Sequence, residues 1–195
     1  MEMLARWAGY LAMAGGAIIV ILVVLVASDP NSGAWFAFFL VVALLGAAGL
    51  GFEQRTRTAT GQLGRASAWL SAVGAVALLA VFVYAAAPDR LSYDASATSD
   101  PLAPLWMGTA VAWFLGNIGF AVAIIRGRVL SAIGGWLVLA GAVTGLGVTV
   151  VLGENLPPAV LLVFGLFGIG WIVVGYAGTR APARVGVVVG RRGQK

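Results

Sequence analysis

A chain of 195 residues carries 61% hydrophobic and only 10% charged side chains, where a soluble domain carries about 25% charged. The net charge is +5, but the absence of cysteine and histidine excludes disulfides, thiolate chemistry and zinc sites built on those ligands. The only lysine is Lys195, so no Schiff base can form inside an apolar stretch.

The first apolar stretch, 7–27, follows Arg6 and ends in Leu25-Val26-Ala27-Ser28. It is longer than the ~7–15-residue core of a secretory signal, and Leu25 fits poorly in a small-residue cleavage pattern, so it reads as a retained helix. Ala8, Ala12 and Gly16 recur along it at four-residue spacing. Asp29-Pro30-Asn31-Ser32-Gly33 then turns the chain. The second stretch, 34–52, carries Ala43, Ala47 and Gly51 at the same spacing and runs into an expected polar loop from Glu53 to Arg65. The third, 66–87, contains Ala68 and Ala72 and precedes the longest connection, Pro88 to Ala103, with Asp89, Asp94, Asp100 and Pro101. The fourth, 104–125, holds Asn117 and ends at the tight turn Arg126-Gly127-Arg128. The fifth, 129–152, contains Gly141 and Gly145, and Gly153 to Leu156 closes it. Pro157 and Pro158 suit the first turn of the sixth, 157–177, where a missing N–H costs nothing.

None of the six stretches has a charge in its interior, and each is about 19 to 24 residues long. That suffices to cross a hydrocarbon core of ~30 Å at 1.5 Å per residue, and only helices or closed barrels satisfy their backbone in lipid. Alternate gaps hold Arg6, then Arg55, Arg57 and Arg65, then Arg126 and Arg128, then Arg180, Arg184, Arg191, Arg192 and Lys195. The other gaps hold Asp29, the three Asp residues of 88–103 and Glu154, with Arg90 as the lone cation. Eleven of twelve basic residues thus share one face, which the positive-inside rule makes cytoplasmic. The expectation is an all-α polytopic membrane protein: a six-helix up-down bundle over 1–180, a basic cytoplasmic tail over 181–195, and both termini in the cytoplasm. The bilayer, with anionic headgroups, is the expected partner of the positive charge, and nucleic acid is not.

Three hairpins, about 1–62, 63–126 and 127–180, are suggested by an internal pattern. Tyr10-Leu11 leads to Gly15-Gly16, Trp69-Leu70 to Gly74-Ala75, and Trp136-Leu137 to Gly141-Ala142. The following stretches carry Gly46 and Gly49, Gly116 and Gly119, and Gly165 and Gly168. Three tandem hairpins with prolines in the outer loops resemble the HdeD acid-resistance membrane protein family. The segment "GFAVAIIRGRVLSAIGGWLVLAGA", Gly119 to Ala142, is also similar to uncharacterised six- or seven-span bacterial membrane proteins. The HdeD resemblance implies a role in tolerating acid or envelope stress and supplies no catalytic motif. Ala8-x-x-x-Ala12 also resembles the small-residue face on the first helix of membrane vitamin-uptake subunits.

Small residues at four-residue spacing (Ala8, Ala12 and Gly16; Gly141 and Gly145) let helix backbones approach closely, which in lipid replaces the missing hydrophobic drive. They serve internal packing, or else docking of a partner or a second copy. Trp7, Trp69 and Tyr176 fall near the inner interface and Trp35, Trp106 and Tyr84 near the outer one, while Trp113, Trp136 and Trp171 lie deeper. Thr109, Trp113 and Asn117 share one face at i, i+4, i+8, and Asn117 is the only amide in any stretch. Exposure to lipid would leave it unsatisfied at a cost of several kcal/mol, so it faces the bundle. It is either an interhelical bridge or the polar handle of a pocket for a small, largely apolar solute.

Glu53 and Arg126 sit at inner helix ends, where an interfacial salt bridge is expected. No stretch contains an acid, so a proton relay is not expected, and the three outer Asp residues lack the spacing of a calcium loop. No cofactor or metal is expected. The reading is a non-enzymatic protein of the bacterial cytoplasmic membrane with a structural, stress-tolerance, or partner- or lipid-binding role. A small-solute-binding or transport subunit is the alternative, and a membrane enzyme ranks last because no nucleophile, base and metal set can be assembled.

Overall fold

The computed structural model describes residues 2–29, 37–85, 103–151 and 158–180. These form five helices: α1 Glu2–Ser28, α2 Ala37–Ala85, α3 Ala103–Gly127, α4 Ala132–Val151 and α5 Pro158–Arg180. There is no strand among the described residues. Among the described residues four segments are long and apolar enough to cross a membrane, Met3–Ser28, Ala37–Tyr84, Pro104–Gly127 and Val163–Arg180; the apolar part of α4, Ala132–Val148, is shorter. The fold is all-helical, and helices of this composition belong in a lipid bilayer.

Five helices stand where six were expected, because the second and third apolar stretches both lie in α2. The segment Glu53 to Arg65 is not a loop. It is helical on both sides of Gly61, whose φ of 60° and ψ of −150° lie in a region open essentially to glycine alone. The helix persists before Gly61 because its polar groups are satisfied within it. Arg57 pairs with Glu53 one turn back, Thr56 Oγ1 donates to the Phe52 carbonyl, and Thr60 Oγ1 donates to that of Thr56. A straight helix of 49 residues would run about 74 Å. Instead α2 doubles back, so that Phe39 stacks on Phe82 at 3.7 Å between ring centroids and Gly46 lies against Ala75.

α1 packs on α2 and α5, α3 on α2 and α4, and α4 on α5, so the first and last helices are neighbours and the bundle closes. Contacts between helix ends fix what shares an end. Gly51 lies against Leu4, Gly127 against Ala59, and Arg55 Nη1 donates to the Gly178 carbonyl at 2.8 Å. Arg6, Arg55, Arg57, Arg65, Arg126, Arg128 and Arg180 therefore gather at one end, with Asp29 at the other. The α3–α4 turn at the arginine end places Arg128 and Leu130 at positive φ, 49° and 57°, and Ser131 Oγ then accepts from the Gly134 N–H.

Aromatic rings from three helices form the middle of the core. Phe52, Phe120, Trp171, Phe167, Trp113 and Phe38 follow one another from α2 through α3 and α5 and back, with centroids 5.7 to 6.5 Å apart. Those separations are ordinary for edge and offset stacking. Small residues bring the helices close enough for the rings to meet. Gly15, Gly74 and Gly141 lie against Leu45, Trp113 and Phe167 respectively, each a large buried side chain.

Candidate functional site

Two places combine polar groups with burial: the middle of α3 and the arginine end of α2. On α3, Thr109, Trp113 and Asn117 do share a face, but they have different duties. Thr109 Oγ1 donates to the Trp106 carbonyl of its own helix at 2.9 Å. Trp113 is fully buried among Phe38, Phe114 and Phe167. Asn117 is 1% exposed, and its Nδ2 donates to the Trp113 carbonyl at 2.8 Å and across to Ser71 Oγ of α2 at 3.1 Å. Both amide hydrogens are thereby used, which fixes the orientation of the group. Among the described residues its Oδ1 has no hydrogen-bond partner, and neither does the indole N–H of Trp113 or of Trp171.

Ser71 escaped the sequence reading. The signal was present in Ser67 and Ser71, one turn apart, facing a pair of glycines three apart on the other helix. A Cβ at Gly116 would lie 2.6 Å from the Ser71 Cα, and one at Gly119 would lie 3.1 Å from the Ser67 Cβ. Both serines are buried, so the α2–α3 crossing is close and polar along two turns.

The expected packing residues fall on several seams. Ala8 and Ala12 are fully buried, and Ala8 faces Gly51 of α2. Gly16 lies against the Gly168 carbonyl and Ile172 of α5. Gly141 meets Phe167, with 2.7 Å between an added Cβ and the Phe167 Cα, and Gly145 meets Phe114 and Phe164. Trp7, Trp69, Tyr176 and Tyr84 are exposed, as interfacial anchors would be. Trp136 is 60% exposed early in α4 and belongs with them rather than with buried Trp113 and Trp171. Trp35, the Asp residues of 88–103, Glu154 and the tail 181–195 lie outside the described residues.

At the arginine end the structure corrects the reading of the acids. Glu53 is not at a helix end but seven residues inside the first half of α2, and it is 3% exposed. A buried carboxylate does exist, and its ion-pair partner is Arg57, at 2.8 Å, rather than Arg126. A cleft of about 430 Å³ opens beside this pair, lined by Leu50, Glu53, Gln54, Arg57, Arg65 and Trp69. Among the described residues no three acidic, histidine or cysteine side chains are grouped so as to hold a metal ion.

Comparison with known proteins identifies no relative: no family model matches the chain, and neither a curated protein nor a solved structure is significantly similar to it.

Proposed function

We propose that this chain is a six-span protein of a bacterial cytoplasmic membrane, with its arginine end and both termini facing the cytoplasm, acting without catalysis through contacts with lipid or a membrane partner. The observation that carries this reading is the gathering of all seven described arginines at one end of an otherwise apolar bundle. The two halves of α2 count as separate crossings, because Gly61 returns the chain to the end where it began. Three hairpin units are supported by matching environments. Tyr10, Trp69 and Trp136 are all about half exposed, while the glycines five residues after each lie against a large buried side chain. A stress-tolerance role of the HdeD kind is compatible with such a bundle.

Topology is the direct test, and the absence of native cysteine removes background labelling. Single cysteines at Ser32, Ser96 and Asn155 should react with an impermeant thiol reagent in intact cells. Those at Thr58 and Gln194 should react only after permeabilisation; labelling of Thr58 from outside would reject the orientation.

A second reading, a binding subunit for a small apolar solute, is favoured by one observation: the Asn117 Oδ1 and the two indole N–H groups in the core that have no partner among the described residues. Mass spectrometry of small molecules released from the purified protein tests it. A compound present in the wild type and lost from Asn117→Leu would establish that reading over the first.

A further inference from the structure

The cleft between the two halves of α2 has a polar lining whose parts are already positioned. Leu50, Glu53 and Arg57 follow one another along the first half, and Arg65 and Trp69, four apart, line it from the second. The Glu53 carboxylate accepts the Arg57 Nε–H, and this leaves the terminal N–H groups of Arg57 on a side chain that is 58% exposed. The buried glutamate thus steadies the guanidinium, and two cations against one anion leave the lining with one net positive charge. Arg65 is exposed and makes no ion pair or hydrogen bond among the described residues. Two other arginines at this end are engaged: Arg55 on the Gly178 carbonyl, and Arg180 over the Tyr176 ring at 4.2 Å.

We propose that this cleft holds the phosphodiester headgroup of an anionic phospholipid, an inference that rests on the membrane reading given above. A diester carries one negative charge and several acceptor oxygens, which matches the net charge and the forked donors of Arg57 and Arg65. A zwitterionic headgroup brings its own cation to two guanidiniums, so the cleft discriminates against it. Trp69 and Leu50 supply apolar surface beside the guanidiniums, and a half-exposed tryptophan is the side chain found at headgroup depth. Basic pockets between helices are a general device for seating lipid headgroups.

The full chain in mild detergent, titrated with phosphatidylglycerol or phosphatidylcholine of equal chain length and followed by native mass spectrometry, tests this. The wild type should retain one phosphatidylglycerol in preference to phosphatidylcholine. Arg65→Gln and Arg57→Gln should each weaken that retention about fivefold or more. Arg128→Gln, on the exposed α3–α4 turn, should leave it unchanged. Thermal unfolding in the same detergent should be unchanged in Arg65→Gln and Arg128→Gln, so that retention lost in Arg65→Gln is not lost folding, whereas Arg57→Gln, which also removes the partner of buried Glu53, should melt lower. Equal retention of the two lipids, or wild-type retention by both cleft variants, would overturn the proposal. So would protection of the wild type by inorganic phosphate alone with no lipid retained, which would make the site one for the free ion. Extraction of the membranes with alkaline carbonate separates the two levels of failure. A protein released by carbonate fails the membrane reading itself, whereas an integral protein indifferent to phosphatidylglycerol fails only this inference.

Discussion

The α1–α5 and α2–α3 seams solve the same problem by different means. Along α1–α5, Gly9 faces Gly175 and Gly16 faces Gly168, seven residues apart on both helices, and each glycine lies against the carbonyl of the other. That seam is backbone against backbone, held by dispersion and by contacts of the Cα–H···O kind. Along α2–α3, Gly74, Gly116 and Gly119 also admit close approach, but what they admit is Trp113, Ser71 and Ser67, and Asn117 adds a hydrogen bond across the seam. The first seam depends on volume alone and the second on volume plus one polar contact. Volume errors should therefore harm both seams, and chemical errors should register only in the second.

The largest loss is expected from filling the glycine seam. Gly16→Leu or Gly168→Leu should each destabilise the bundle by about 3 kcal/mol, the upper part of the range for overpacking, because the obstacle is backbone that cannot rotate away. Gly141→Leu should follow closely, since it meets the Phe167 backbone as well as its side chain. Val143 of the same helix, 52% exposed, is the control; Val143→Leu should change stability by less than about 0.5 kcal/mol. Thermal unfolding in one detergent compares all four, and a wild-type midpoint for Gly16→Leu would break the account of this seam.

A smaller effect isolates backbone geometry from packing. A Cβ at Gly61 or at Gly49 would meet nothing within 4 Å, but only Gly61 has positive φ. Gly61→Ala should cost about 1–3 kcal/mol through strain alone. Gly49→Ala, in regular helix, should instead gain about 0.5–1 kcal/mol. The same melts read both, and two substitutions of equal effect would mean that the reversal in α2 does not depend on Gly61.

The smallest expected loss is the chemical one. Asn117→Leu should lower stability by about 0.6–2 kcal/mol, the worth of a hydrogen bond between helices in a membrane. Ser71→Ala should cost a similar amount, and the double variant should cost less than the two together, because both remove one contact. Additive losses would show that Asn117 and Ser71 act separately, and would sharpen the contrast between the seams by removing the polar bridge from the second.

Much of this was legible in the residues. Uninterrupted apolar runs of helical length set the class of fold, because lipid admits few alternatives and charge cannot be hidden in it. The burial of Asn117 followed from the cost of exposing an amide to lipid, and the packing roles of Ala8, Ala12, Gly16, Gly141 and Gly145 followed from their size and spacing. Only the tertiary structure decided which surfaces meet. Seven-residue glycine spacing is the same on a helix whatever its neighbour, so the pairing of α1 with α5 could not be read from either helix alone. Nor could the fate of Glu53 to Arg65: its polarity resembled a loop, but its hydrogen bonds close within a helix, and the reversal is concentrated at Gly61, one of its two glycines. Glu53 became a buried, paired carboxylate and Arg65 part of a cleft because folding α2 back at Gly61 brought together two helical faces that the sequence separates by the turn.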